Sequence, residues 1–503
     1  MSTLLSHTIA THYTQLTEYA MHLVRTLATT ALLLAASTFP AAAQVEPLTD
    51  PIPEPIRKGD LIVEAARFVR APQTVDSVAN APLLTQSHAR IQYMTPLGDG
   101  SGRLVLNDTR GVVYITDENG MEPVEYLDVR GRDIGFDDSM FPNESGLVSV
   151  AFHPQFGDAG TPGYGKLYTA YSARSGSGRA DYLDFRDNDA MSHESVIREW
   201  TADDPQANAF SGTTREVFRI GQFAPNHNIG TIAFSPTAEP GSPEYGLLYA
   251  CLGDAGAAYD PLDYGQSLSE PHGAIIRIDP LGGDGSRGYG IPADNPFVGE
   301  DGVAPEIWAY GLRHPQQFSW DTDDGRMFLG DIGQNLVEEV NLVMPGANYG
   351  WRLREGTFAT GFTVPPGRPG PLYPRPAEDD EPFVYPVAQY DHDEGYAISG
   401  GYVYRGRAIP DLQGKYVFTD FPRGRILYID ADGLVPGELA EILELRLVVD
   451  GEERELADAV GHPNTYAPGP RADARLGIDS AGELYVLTKS DGWARKLGPV
   501  PAP

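Results

Sequence analysis

The chain has 503 residues, a formal net charge of −33 and one cysteine, Cys251. So acidic a surface repels nucleic acid and anionic lipid, which excludes both as partners. A lone cysteine rules out an internal disulfide and a Cys-x-x-Cys-His haem attachment, and within "LLYACLG" it reads as a buried, inert thiol.

In chain order, the first recognisable element begins at Met21: "MHLVRTLATTALLLAASTFPAAAQ". A short basic start, an apolar stretch and Ala41-Ala42-Ala43 have the layout of a secretory signal peptide. Residues 1–43 are therefore expected to be a signal region, with Met21 as an alternative start and a periplasmic or secreted destination. The apolar core is too short for a transmembrane helix, and no other run is long enough to span a bilayer. Residues 44–85 are rich in proline and read as a leader.

From residue 86 to 499 one phrase recurs: a glycine, then a hydrophobic or aromatic run suited to a strand. It occurs at Gly102 ("GRLVLND"), Gly165 ("GKLYTAY"), Gly246 ("GLLYACLGD"), Gly325 ("GRMFLGD"), Gly414 ("GKYVFTD") and Gly482 ("GELYVLT"). Glycine serves the tight turn and the run that follows is β-rich. Amphipathic helical periodicity is nearly absent. Six copies imply about 77 residues per repeat, room for four strands and excursions, so the expected fold is all-β, a six-bladed β-propeller with four-stranded blades. A β-helix has much shorter repeats. Two excursions, 173–195 and the Pro-rich 353–394, are expected to be loops, and "GGDGSRGYG" (282–290) a surface turn because it lacks the lysine and the helix of a phosphate loop.

A propeller gathers residues distant in sequence around one axial mouth, so polar residues beside the repeated strands are the candidates for chemistry. His227, in "PNHNIGTIAF", precedes such a strand, and Asp254 ends the next in "LGDAG". A carboxylate holding one imidazole nitrogen leaves the other basic and aimed; on spacing alone, a structural His–Asp bond is the simpler reading. Arg313 and His314 sit at a strand-to-loop step, and "GDIGQN" follows the next strand with carbonyls able to ligate a hard cation. Arg313, Arg405 and Arg475 could together hold a multiply anionic ligand, although each alone reads as a surface ion-pair residue.

The motifs "SGLVSVAFHPQF", "HNIGTIAFSP", "GAIIRIDP…IPADNPF", "EIWAYGLRHPQQFSWD…GDIGQN", "NYGW", "ISGGYVYRG" and "ELYVLT", in this order, resemble the soluble PQQ-dependent glucose/sorbosone (aldose sugar) dehydrogenases. The resemblance covers roughly residues 86–497 and implies a six-bladed propeller. It implies His227 as catalytic base supported by Asp254, and Glu144, Asn226, Arg313, His314, Arg405 and Arg475 around the cofactor. Ca²⁺ would lie on the backbone carbonyls of Gly333 and Gln334. Three positions depart from the family pattern: His314 replaces an asparagine, Asn226 an aspartate of some members, and Asp473 an arginine of some members. The implied activity is oxidation of an aldose at C1 to the lactone, with electrons leaving to a soluble acceptor. The alternatives are a non-catalytic extracytoplasmic binding propeller and a Ca²⁺-dependent lactonase.

Overall fold

Each of the six recurring glycines adopts a positive φ, between 70° and 80°, the left-handed region where a side chain is strained. Each opens the second strand of a sheet, so the repeat seen in the sequence marks the second strand and not the innermost one. This computed structural model describes residues 45–74, 88–139, 144–183, 192–283, 285, 287–334, 336–364, 370–377, 382–463 and 469–501. The expected signal peptide lies outside the described residues. Glu46–Pro503 forms one compact unit.

The architecture is all-β, built from four-stranded antiparallel meanders of the β-propeller kind. The first comprises Ile91–Pro96, Arg103–Asp108, Val112–Asp117 and Val124–Asp128. The second runs Leu147–Phe152, Lys166–Arg174, His193–Ala202 and Gly212–Gln222. Ile229–Phe234, Leu248–Leu252, Ala274–Ile278 and Ile307–Tyr310 form the third. The fourth is Pro315–Trp320, Met327–Asp331, Val337–Val343 and Ala388–Asp391. A nine-stranded sheet completes the fold, beginning with the meander Ile398–Val403, Lys415–Asp420, Arg425–Asp430 and Leu443–Val449. It ends with Ala474–Ile478, Leu484–Thr488 and Trp493–Pro499.

The two parts of that sheet are joined by Arg57–Arg70, parallel to Leu443–Val449 (Val63 opposite Leu447) and antiparallel to Trp493–Pro499 (Ala65 opposite Leu497). This corrects the reading of 44–85 as a leader. Buried Val63, Ala65 and Val69 alternate with more exposed neighbours, as in a strand with one covered face. The prolines preceding the strand hid it, and its partners lie almost the whole chain away.

The excursions are also partly ordered. Strands run on to Arg174 and resume at His193, so each end of the 173–195 segment is strand. Within 353–394, Arg354–Glu355, Phe358–Thr360 and Leu372–Tyr373 make a small sheet, and Ala388–Asp391 is an outer strand. Among the described residues no helix is long and apolar enough to cross a membrane.

The first strands of successive meanders lie side by side: Ile91–Pro96, Leu147–Phe152, Ile229–Phe234, Pro315–Trp320, Ile398–Val403 and Ala474–Ile478, the last against the first. Their approach is close. A Cβ on Gly230 would stand 2.6 Å from the Gln316 carbonyl oxygen of the next inner strand. Between sheets the interior is apolar, with Trp200, Tyr168, Val150 and Leu248 fully buried. Cys251 lies in this interior too, its thiol pushed up to about 12 by burial.

Candidate active site at the strand ends

The inner strands all start at the same end, so the residues just before them converge there. His227 precedes Ile229–Phe234 and is almost fully buried, with φ +56°. Several hydrogen bonds hold its loop. The His227 amide donates to Glu144 Oε2 (2.8 Å), and Asn228 Nδ2 donates to the Glu144 and Pro225 carbonyls. Asn226 Oδ1 accepts from the Ala257 amide (3.1 Å), stapling the loop to the segment after Asp254.

His227 Nδ1 lies 2.6 Å from Asp254 Oδ1. The same oxygen accepts from the Gly256 amide (3.0 Å), and Oδ2 accepts from Trp351 Nε1 (2.8 Å). Asp254 is therefore surrounded by donors and stays an acceptor, which places the proton on Nδ1 and leaves His227 Nε2 as the basic nitrogen. Burial pushes the Asp254 carboxyl up to about 6, against the pull of Arg313, Gly256 and Trp351. Burial also holds the His227 imidazole well below its ordinary range, assisted by the charges of Arg313 and His314 and opposed by Glu144. The imidazole is thus neutral at physiological pH, as a general base must be.

Arg313 and His314 precede the neighbouring inner strand. Their amides donate to the two oxygens of Asp331 (2.9 and 2.7 Å), which fixes the turn. Arg313 donates through Nη1 to the Ile332 carbonyl (2.8 Å) and stands over the Trp351 ring. The His314 ring stacks on His227, centroids 4.8 Å apart, with Nε2 3.2 Å from Glu144 Oε2. Burial would raise the Glu144 carboxyl, but His314 and then His227 outweigh it and hold it at about 2. Glu144 consequently stays ionised, bound to the His227 backbone amide and to the His314 ring.

Across the mouth Arg475 is buried, with Nη2 bonded to Gln316 Oε1 (3.2 Å) and its guanidinium over Phe421. Burial lowers it to about 10. Its Nε and His314 Nδ1 are both buried with no hydrogen-bond partner among the described residues. Cationic and polar groups left unmatched in a protein interior suit a ligand that carries carboxylates and ring acceptors. The donor set therefore fits a tricarboxylate such as PQQ.

The Gly333–Gln334 loop follows Met327–Asp331. Its Gln334, Leu336 and Val337 amides all donate to Glu355 Oε1 (3.0, 3.1 and 3.1 Å). In a planar trans peptide the carbonyl opposes the N–H, so the Gly333 carbonyl points away from Glu355. Among the described residues neither the Gly333 nor the Gln334 carbonyl accepts a hydrogen bond. Two free carbonyls fit as part of a Ca²⁺ shell and need further oxygens. No cluster of three His, Cys, Asp or Glu with metal-binding geometry occurs among the described residues.

Arg405 does not join this assembly, and its expected cofactor role is corrected. It follows Ile398–Val403 and so lies at the far end of the inner strands. There it forms a two-pronged pair with buried Asp321 (2.8 and 2.6 Å) and a third contact to Asp323. Four residues at the mouth escaped the sequence reading: Trp351, Gln316, Arg90 and Lys489. Trp351 lay in the quoted "NYGW" motif and Gln316 in "RHPQQ"; the two cations carried no motif.

Residues 91–453 match the family described as Glucose / Sorbosone dehydrogenase, more than half of the chain. The chain is 30% identical over 374 residues to the HIPL1 protein of Arabidopsis thaliana, covering 65% of this chain and 50% of that protein. It is 30% identical over 237 residues to the aldose sugar dehydrogenase YliI of Escherichia coli, covering 46% of this chain and 53% of that protein. The chain thus spans about half the length of these relatives. Among solved structures, the PQQ-bound aldose sugar dehydrogenase of Streptomyces coelicolor superposes with a TM-score of 0.54 at 20% identity. That match covers 88% of this chain and 99% of the other, and it bears on the fold.

Proposed function

The chain belongs to the glucose/sorbosone dehydrogenase family, and from that premise we propose that it is an exported PQQ-dependent dehydrogenase that oxidises an aldose at C1 to the lactone. We also propose six blades, a count supported by the six inner strands that lie side by side in closed order. The observation that carries the function is buried His227, anchored through Nδ1 to Asp254, beside buried Arg475, whose Nε has no hydrogen-bond partner among the described residues.

In this reading Arg313, His314 and Arg475 hold the cofactor carboxylates and ring acceptors, and the Gly333 and Gln334 carbonyls contribute to a Ca²⁺ site. When bound, PQQ would supply two-electron, hydride-accepting chemistry and Ca²⁺ a Lewis acid. The protein does the rest. His227 Nε2 takes the proton of the anomeric hydroxyl, and Asp254 stabilises the resulting imidazolium through Nδ1–H. Trp351 holds the second Asp254 oxygen so that the carboxylate cannot rotate away. Glu144 fixes the His227 backbone and the His314 ring together, setting the direction of Nε2. The electron acceptor in this reading is a soluble partner.

The test is absorbance titration of PQQ into the protein with and without Ca²⁺, followed by aldose-dependent reduction of a dye. Binding and turnover are expected, with turnover abolished in His227→Ala. Tight PQQ binding with no turnover on any aldose would favour the binding-only propeller instead.

A further inference from the structure

Three cations converge where the first and last inner strands meet. Arg90 immediately precedes Ile91–Pro96, Arg475 lies in the adjoining Ala474–Ile478, and Lys489 immediately follows Leu484–Thr488, whose Thr488 pairs with Ala474. All three are buried, at 2%, 3% and 1% exposure. Lys489 Nζ donates to Gln92 Oε1 (2.8 Å), on the strand that Arg90 opens.

Among the described residues, the carboxylates that act on Arg90 have other partners. Asp473 binds Arg471 (2.6 Å). Asp108 accepts from the Arg90 and Arg110 amides and from Thr74, and Asp138 pairs with Arg110 (2.9 Å). Arg90 Nε and Nη1 remain buried with no hydrogen-bond partner among the described residues, as does Arg475 Nε. A buried guanidinium left this way is costly, because its charge is uncompensated. An arrangement of this kind is understandable if an anion completes it. Burial, compounded by the mutual repulsion of these cations, lowers Lys489 well below its usual range, and burial lowers Arg90 as well. An incoming carboxylate would relieve both effects.

We propose that Arg90 and Lys489, with Arg475, form a carboxylate-binding wall on this side of the mouth, and that they supply the positive charge that Asp473 withholds. The proposal rests on the PQQ reading for the identity of the ligand, a planar tricarboxylate. It also accounts for the departure at 473: the aspartate there is neutralised by Arg471, and the cations come instead from other strand ends.

The experiment measures two quantities for Arg90→Met and Lys489→Met: the PQQ dissociation constant by absorbance titration, and the melting temperature of the cofactor-free protein. Removing a charge-assisted hydrogen bond to the ligand should raise the dissociation constant about tenfold or more. For Arg90→Met, replacing a buried cation whose Nε and Nη1 lack hydrogen-bond partners among the described residues by an apolar side chain should leave the cofactor-free melting temperature unchanged or higher. Lys489→Arg, which keeps the charge, should bind within a few-fold of the parent and covers the case in which a Met variant fails to fold. Parental PQQ affinity in folded Met variants, or Lys489→Arg binding no better than Lys489→Met, would overturn the proposal. Should the parent protein not bind PQQ at all, the cofactor reading fails, and citrate becomes the probe. Citrate-induced stabilisation of the parent that the Met variants lack would still support a polycarboxylate wall. No response to citrate in the parent would overturn the wall as well.

Discussion

Replacing Asp254 by Asn changes one atom and should silence the base. Three donors converge on the carboxylate: His227 Nδ1 and the Gly256 amide on Oδ1, and Trp351 Nε1 on Oδ2. An asparagine has a single acceptor oxygen. If that oxygen faces His227, the amide NH₂ meets Trp351 Nε1–H donor to donor, at a fully buried position. If the amide flips to satisfy Trp351, the NH₂ faces His227 Nδ1 and selects the tautomer with its proton on Nε2, which cannot accept one from the substrate. Either the anchor is strained or the base is lost. A misplaced general base typically costs on the order of 10²–10⁴ in rate. The assay is dye-coupled oxidation of a panel of aldoses by PQQ-reconstituted protein, with PQQ affinity measured in parallel. Asp254 makes no contact assigned to the cofactor, so kcat should fall while the PQQ dissociation constant stays within a few-fold. An Asp254→Asn variant turning over at the parental kcat would refute the anchoring argument.

Arg405→Gln should leave PQQ affinity unchanged and destabilise the fold by about 3 kcal/mol, because it strands a buried Asp321 with only the more distant Arg326 (3.8 Å) nearby; urea unfolding beside a PQQ titration checks both halves. His227 is held below the ordinary imidazole value of about 6.5, so the acidic limb of a kcat/KM–pH profile should lie below pH 6.5, and a limb at pH 7 or above would contradict a buried neutral base. Glu144, held at about 2, stabilises the fold above its unfolded value of about 4.3 and loses that contribution as pH falls towards 2; Glu144→Gln should flatten the fall in melting temperature across that window. Ca²⁺ held by two neutral carbonyls needs oxygens from water and cofactor, so calorimetry should find that Ca²⁺ and PQQ tighten one another by the same factor, with equal Ca²⁺ affinity in both forms ruling out the loop as the site.

Much of this site was legible in the sequence, and the remainder shows where linear reading stops. The His227–Asp254 pair was readable because a hairpin joins the two residues: Ile229 pairs with Leu252, which brings the flanking residues face to face. Arg313 and His314 were readable through their motif. The strand Arg57–Arg70 was not, since its register depends on Leu443–Val449 and Trp493–Pro499 at the other end of the chain. Lys489 carried no sequence signal; only the closing of the sheets buries the position that follows Leu484–Thr488.

The error at Arg405 and the omission of Lys489 have one geometric cause. In each meander the inner strand runs away from the mouth and the second strand returns to it. Residues that precede or open an inner strand therefore face the mouth, as Arg90, Glu144, His227, His314 and Arg475 do. Residues that follow a second strand face it too, which places Asp254 after Leu248–Leu252, Gly333 and Gln334 after Met327–Asp331, and Lys489 after Leu484–Thr488. Residues that follow an inner strand reach the opposite end, and Arg405, after Ile398–Val403, is one of these. Adjacency to a repeated strand was thus too coarse a criterion. The side of the strand on which a residue falls, together with whether that strand leaves or returns, decides whether it can touch a ligand. Phe421, which follows the second strand Lys415–Asp420, obeys the same rule: it carries the Arg475 guanidinium on its ring at 3.9 Å. Each of the last three meanders thus sends a group to the mouth from its returning strand: the carbonyl pair 333–334, the aromatic platform under Arg475, and the ammonium of Lys489.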